Sequence, residues 1–164
     1  MFIRDSPGYS ENRRNRKKLK GFYTDHLSYT PEVRIFRSHA FDKQQPFRLL
    51  EPKEVIRAAF VTASAPNCSA IRKSTHFEKI KATLERRIDR ILSAFAKHGQ
   101  TILILGAFGC GVFRNDPTLV ATLFKQALTS EKFRDRFKLV VFAIYTRTNR
   151  NIKEFQFVFN DQQE

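Results

Sequence analysis

The stretch from Thr101 to Pro117 constrains the fold of this chain more than any other. Thr101–Leu105 is an apolar, β-branched run of strand length, and Gly106-Ala107-Phe108-Gly109-Cys110-Gly111-Val112-Phe113 follows it at once. Asn115 or Asp116 then stands at a helix N-cap, with Pro117 in the first helical position, where a missing N–H costs nothing. A strand, a glycine turn and a helix in that order form half of a βαβ unit, and such units build parallel sheets.

The rest of the chain supplies compatible pieces. Thr75–Lys97 reads as a helix: Thr75-His76-Phe77-Glu78 fits a capping box, and Phe77, Ile80, Leu84, Ile88, Ile91 and Phe95 repeat at three and four. Arg86, Arg87 and Arg90 fall mainly on its other faces, and Gly99 sits where a left-handed residue closes a helix. Val120, Phe124 and Leu128 give the helix after Pro117 its apolar face. Val33–Arg37 predicts a short strand after a turn at Pro31, and Phe41–Pro52 a connecting loop. Val55–Thr62 and Lys138–Tyr145 predict buried strands. Ile152, Phe155 and Phe159 predict a last helix capped by Asn149 or Asn151, although Phe155–Phe159 alternates enough for a strand. The fold class is therefore α/β, a mixed or parallel sheet flanked by helices.

Composition narrows the rest. The 164 residues are 41% hydrophobic, enough for one folded domain, and no apolar run nears the roughly 20 residues that span a bilayer. The start carries no apolar signal segment, and two cysteines make neither a disulfide framework nor a zinc site, so a reducing, cytoplasmic or nuclear setting is expected. Thirty Lys and Arg against 16 Asp and Glu give +14, a field that draws polyanions. Residues 1–20 hold +5 of it and little apolar periodicity, which reads as a flexible basic arm ahead of a domain at 21–164. Arg13–Lys20 makes nucleic acid a candidate partner for that arm; no membrane partner is expected. His26, His39, His76 and His98 show no paired ligand or triad spacing, and no metal or cofactor is indicated.

Glycines beyond the carboxyl end of a strand let the backbone approach a phosphate, and the following helix adds its positive dipole end. Neither the Walker pattern nor Gly-x-Gly-x-x-Gly is present, so the spacing by itself leaves a phosphate loop and a plain tight turn both open. Cys110 is a small loop residue or, less in keeping with its neighbours, an activated thiol.

The spelling Leu105-Gly106-Ala107-Phe108-Gly109-Cys110-Gly111-Val112-Phe113-Arg114-Asn115-Asp116-Pro117 closely resembles the ADP-ribose diphosphate loop of microbial-type poly(ADP-ribose) glycohydrolases, a macrodomain-fold family. Tyr29-Thr30-Pro31 with Val33 and Phe36-Arg37, Thr62-Ala63-Ser64-Ala65-Pro66-Asn67 and Val140–Tyr145 resemble further family segments in the same order, over about residues 22–159. The resemblance implies that the N–H groups of Gly109, Cys110, Gly111 and Val112 hold the diphosphate of ADP-ribose or an ADP-ribosylated protein. It places the ring of Phe113 on the distal ribose, while the residue alone also allows a core position.

One departure bears on activity. Family members carry a Gly-Gly-Gly segment and a Gln-Glu-Glu run whose second glutamate protonates the leaving ribose oxygen; these 164 residues contain neither. The expectation is a macrodomain-like sheet incomplete on its N-terminal side, with no catalytic residue assigned: an ADP-ribose-binding, catalytically inactive module. The alternatives are an active glycohydrolase whose acid is Glu32, Glu51 or Glu54, and a basic nucleic-acid-binding protein.

Overall fold

The computed structural model describes residues 19–39, 42–43, 45–71, 73–145 and 149–160, with the side chains of 73–75 excepted. The basic arm, apart from Leu19 and Lys20, and the threonine side chain of the expected capping box lie outside that description. The described residues form four strands and three long helices: β1 (Leu27–Ile35), β2 (Ile56–Ala63), α1 (Lys73–Lys97), β3 (Ile102–Leu105), α2 (Pro117–Thr129), β4 (Leu139–Phe142) and α3 (Arg150–Asn160). A single 3-10 turn, Pro52–Glu54, precedes β2.

The strands form two pairs. β1 and β2 are antiparallel, from Leu27 opposite Ala63 to Ile35 opposite Ile56; β3 and β4 are parallel, from Ile102 opposite Leu139 to Leu105 opposite Phe142. The parallel pair is the βαβ unit expected from 101–117, with α2 in its crossover. β1 begins six residues before the expected Val33, because Pro31 does not interrupt the strand. The register shifts between Thr30 and Val33, and Glu32 takes φ 51°, so the proline sits in a bulge, where its missing N–H disturbs no ladder.

Helix α1 breaks at His76 (φ −131°), and Ile80, Leu84, Ile88, Ile91 and Leu92 then line the core. Phe77 departs from the expected stripe and is half exposed. Gly99 takes φ +69°; its N–H donates to Ala96 O, and that of Gln100 to Phe95 O, the paired closure that a left-handed residue permits. β3 turns Leu103 and Leu105 inward against Val120 and Phe124 of α2, and Phe155 of α3 joins the same core. The alternation in 155–159 is helical after all: Phe155 and Val158, three apart, face inward.

Three expectations are corrected. β2 was expected to be largely buried, yet Ile56 and Phe60 are exposed, and β4 is only four residues long with Leu139 and Val141 exposed. Arg87 is not on an outer face of α1 but is one of three buried polar residues among those described. No helix of the described residues is long and apolar enough to cross a membrane.

Candidate functional site

The glycine loop is built from two tight turns. Cys110 N–H donates to Ala107 O (3.0 Å) and Arg114 N–H to Gly111 O (3.0 Å). Asn115 N–H then returns to Gly109 O (3.1 Å), drawing the loop into a closed crescent between β3 and α2. Gly109 takes φ +73°, and a Cβ there would fall inside the contact distance of Ala65 Cβ and Asn115 Nδ2. Glycine is thus required at 109 on two grounds. At Gly111 a Cβ would meet nothing, so that glycine leaves open space beside the backbone.

Sequence left the cap to Asn115 or Asp116; the structure gives the two residues separate tasks. Asp116 caps α2, accepting from Leu119 N–H at 3.0 Å. Asn115 is buried and clamps the loop. Its Nδ2 donates to Pro66 O (2.8 Å) and to Gly109 O (2.9 Å), while its Oδ1 accepts from Cys68 Sγ (3.1 Å). One amide thereby ties the glycine loop to the end of β2. A second buried clamp works from α1. Arg87 donates to Ser64 O (2.9 Å), Phe22 O (2.7 Å) and Tyr23 O (3.1 Å), and to Asp25 Oδ1 at 2.8 Å. Burial pulls its guanidinium below the usual range, opposed by Asp25, whose own carboxyl is held low chiefly by Arg86 and also by Arg87.

These clamps bring together three segments: the glycine loop, the β2 end at 64–67, and residues 22–25. Tyr23 is the residue that sequence gave no sign of. It sits at φ +57°, a conformation that bulky residues avoid, and its ring stacks on Phe113 at 5.6 Å. Phe113 is half buried, so it is neither a full core residue nor a free ring.

Each loop residue named from sequence can now be located. Gly111 and Val112 are exposed, with Val112 at 87%. Gly109 is half buried and Cys110 is buried. Among the described residues, the backbone N–H groups of Gly109, Gly111 and Val112 donate to nothing, whereas that of Cys110 is spent on its turn. Burial, helped by Asp116 and Cys68, pushes the Cys110 thiol up to about 12, the opposite of an activated nucleophile.

Of the carboxylates considered as acids, Glu54 is not tuned for that work. Glu54 is held by Arg48 through two 2.9 Å bonds and by Glu51 N–H, which bring its pKa down to about 2. A general acid needs the opposite shift. Glu32 is exposed with Arg57 at 3.9 Å. His98 stacks on Tyr29 at 3.8 Å at the end of α1, a packing role. No cluster of three or more His, Cys, Asp or Glu among the described residues suits a metal. A cavity of about 570 Å³ is lined by Arg34, Leu49, Leu50, Glu51, Pro52, Val55 and Arg57; Glu51 is the one carboxylate in that lining, so it presents no acid pair. The glycine loop is the better candidate because three of its backbone N–H groups donate to nothing among the described residues.

Solved structures show what the chain is similar to. The poly(ADP-ribose) glycohydrolase of Deinococcus radiodurans in complex with ADP-ribose superposes with TM-score 0.78 and 32% identity, over 96% of this chain and 62% of that one. The corresponding enzyme of Thermomonospora curvata gives TM-score 0.77 and 38% identity, over 92% of this chain and 52% of that one. In fold and in sequence the chain is similar to the microbial-type poly(ADP-ribose) glycohydrolases. It spans less than two thirds of the length of these relatives. No family model matches it, and neither does any curated protein. The α/β pieces of this glycohydrolase-like chain are therefore the greater part of a macrodomain-like fold.

Proposed function

We propose that this glycohydrolase-like chain binds ADP-ribose, free or attached to protein, by its diphosphate at Gly109–Phe113, and that these residues alone do not hydrolyse the polymer. The carrying observation is the set of undonated N–H groups at Gly109, Gly111 and Val112 in a loop held rigid by Asn115. Cys110 contributes by its small buried side chain, which lets the loop turn between two glycines. The ring of Phe113, braced by Tyr23, is the surface for the distal ribose. That a relative with 32% identity was crystallised with ADP-ribose supports the ligand class.

Charge-assisted bonds to neutral N–H groups contribute about 1.5–3 kcal/mol each. Three of them, less the cost of immobilising the ligand, predict a Kd no tighter than roughly micromolar. Two observations support the inactive reading of these residues: Glu54 is tied down by Arg48, and no Glu-Glu run occurs among the 164 residues.

Titration calorimetry of the full chain with ADP-ribose tests the site. Saturable heat, lost in Gly111→Glu because a carboxylate then occupies the open space beside the N–H groups, is expected. No heat in the wild-type chain, or equal binding by the variant, would refute it. Release of ADP-ribose from modified protein by the chain alone would overturn the inactive reading and leave the binding site standing.

A further inference from the structure

The β1–β2 pair carries a second concave site at its far end. β2 reaches the glycine loop just beyond its last residue, Ala63, whereas Arg57 stands near its start. At about 3.3 Å per residue, the run from Arg57 to Ala63 spans roughly 20 Å. Arg34 of β1 lies directly opposite Arg57 in the antiparallel register, so the two side chains leave the same face of the pair. Both are exposed, and both line the cavity of about 570 Å³.

Like charges directly opposite each other on a sheet repel. Little nearby offsets that repulsion. Among the described residues Arg34 makes no hydrogen bond or ion pair, and Arg57 meets only Glu32, at 3.9 Å, with both of those side chains largely exposed. Glu51, the carboxylate in the lining, pairs with neither arginine. Two further arginines of this region are already engaged: Arg37 donates to Phe47 O (2.9 Å), and Arg48 holds Glu54. Arg34 and Arg57 together therefore present a fork suited to an oxyanion.

The rest of the lining is apolar and held in place. Leu49, Leu50, Pro52 and Val55 supply it. Their segment is tied back by Leu50 N–H to Phe36 O (2.9 Å), by Ser38 N–H to Arg48 O (2.9 Å) and by the Arg48–Glu54 pair (2.9 Å). A cationic fork beside a preformed apolar surface selects a ligand with both characters. No aromatic ring lines the cavity, so nucleobases find no stacking platform there. We propose that this cavity docks an extended acidic segment of a protein partner. An Asp or Glu carboxylate bridges Arg34 and Arg57, and a neighbouring apolar side chain packs on Leu49, Leu50, Pro52 and Val55. ADP-ribose takes no part in this docking, and calorimetry with ADP-ribose reads the glycine loop separately.

Fluorescence anisotropy of the full chain with a labelled hexapeptide of alternating Leu and Glu tests the site. Hexapeptides of alternating Leu and Gln and of alternating Ser and Glu, and a short oligothymidylate, are the comparisons. Saturable binding of the Leu-Glu peptide is expected, about tenfold tighter than that of either other peptide. Arg34→Gln and Arg57→Gln should each weaken it about fivefold and leave the urea midpoint equal or higher, because removing one of two opposed like charges relieves repulsion. Arg134→Gln, at an exposed arginine that does not line the cavity, should leave binding unchanged. Four results would overturn the proposal: no binding of the Leu-Glu peptide, equal binding by the Arg34 and Arg57 variants, a loss of binding that comes with a lower urea midpoint, or tighter binding of oligothymidylate through the same two arginines.

Discussion

Exchanging Gly109 and Gly111 for alanine, one at a time, separates the two roles that glycines play in this loop. At Gly109 the φ of +73° makes any L-residue adopt the left-handed region, at a cost of about 1–2 kcal/mol. The new Cβ also meets Ala65 Cβ and Asn115 Nδ2. Ala65 is backed by the end of β2, so the movable partner is the Asn115 amide, which holds Pro66 O and Gly109 O. Displacing it weakens two buried hydrogen bonds, each contributing about 1 kcal/mol. Gly109→Ala should therefore destabilise the chain by about 3–4 kcal/mol, and Tm should fall by on the order of 10 °C for a domain of this size. At Gly111 a methyl meets nothing, and Gly111→Ala should stay within about 0.5 kcal/mol of the parent. Urea unfolding followed by circular dichroism, with the slope m checked for constancy, gives both values. Equal effects of the two substitutions, or a Gly109→Ala cost below about 1 kcal/mol, would show that the loop is not clamped as described.

Arg87→Leu removes donors to Phe22 O, Tyr23 O and Ser64 O and the pair with Asp25; loss of about 3–5 kcal/mol is expected, against less than about 1 for the exposed Arg86→Leu, both read from urea midpoints. Glu54, at about 2, and Asp25 both have carboxyl pKa values depressed on folding, so their stabilisation is present above the ordinary carboxylate range and lost as pH falls through it toward 2. Urea midpoints should drop between pH 5 and pH 2.5, and less steeply in Arg48→Met; an identical acid profile for that variant would contradict the assignment. Because burial pushes the Cys110 thiol up to about 12, iodoacetamide at pH 7.5 should leave it unlabelled in the native chain and modify it fully in urea. Rapid native labelling, mapped by mass spectrometry, would count against the loop geometry.

Features decided within a few residues were legible before any coordinates. Pro117 opening α2, Gly99 closing α1 and the three-and-four spacing in 80–91 are set by backbone sterics and by helix geometry, which act at short range. The glycine loop was legible for the same reason, since φ and turn hydrogen bonds are local properties.

The misread features all depend on contacts between distant segments. Arg87 looked like one more outward basic residue, but its partners lie 23 to 65 positions away, and only the folded chain brings Ser64 O and Phe22 O to one guanidinium. Asn115 and Asp116 were interchangeable as caps until tertiary packing put Pro66 O within reach of one of them. Tyr23 carried no sequence signal, because its strained φ and its stack on Phe113 exist only once 22–25 is pinned beside the loop. The sequence by itself determined the local pieces and the family they resemble. The tertiary structure alone decided which polar groups are buried, how three segments close around the glycine loop, and that the sheet stands open between β2 and β3. Burial and strand pairing are properties of surfaces meeting across the chain, and no short stretch of residues encodes them.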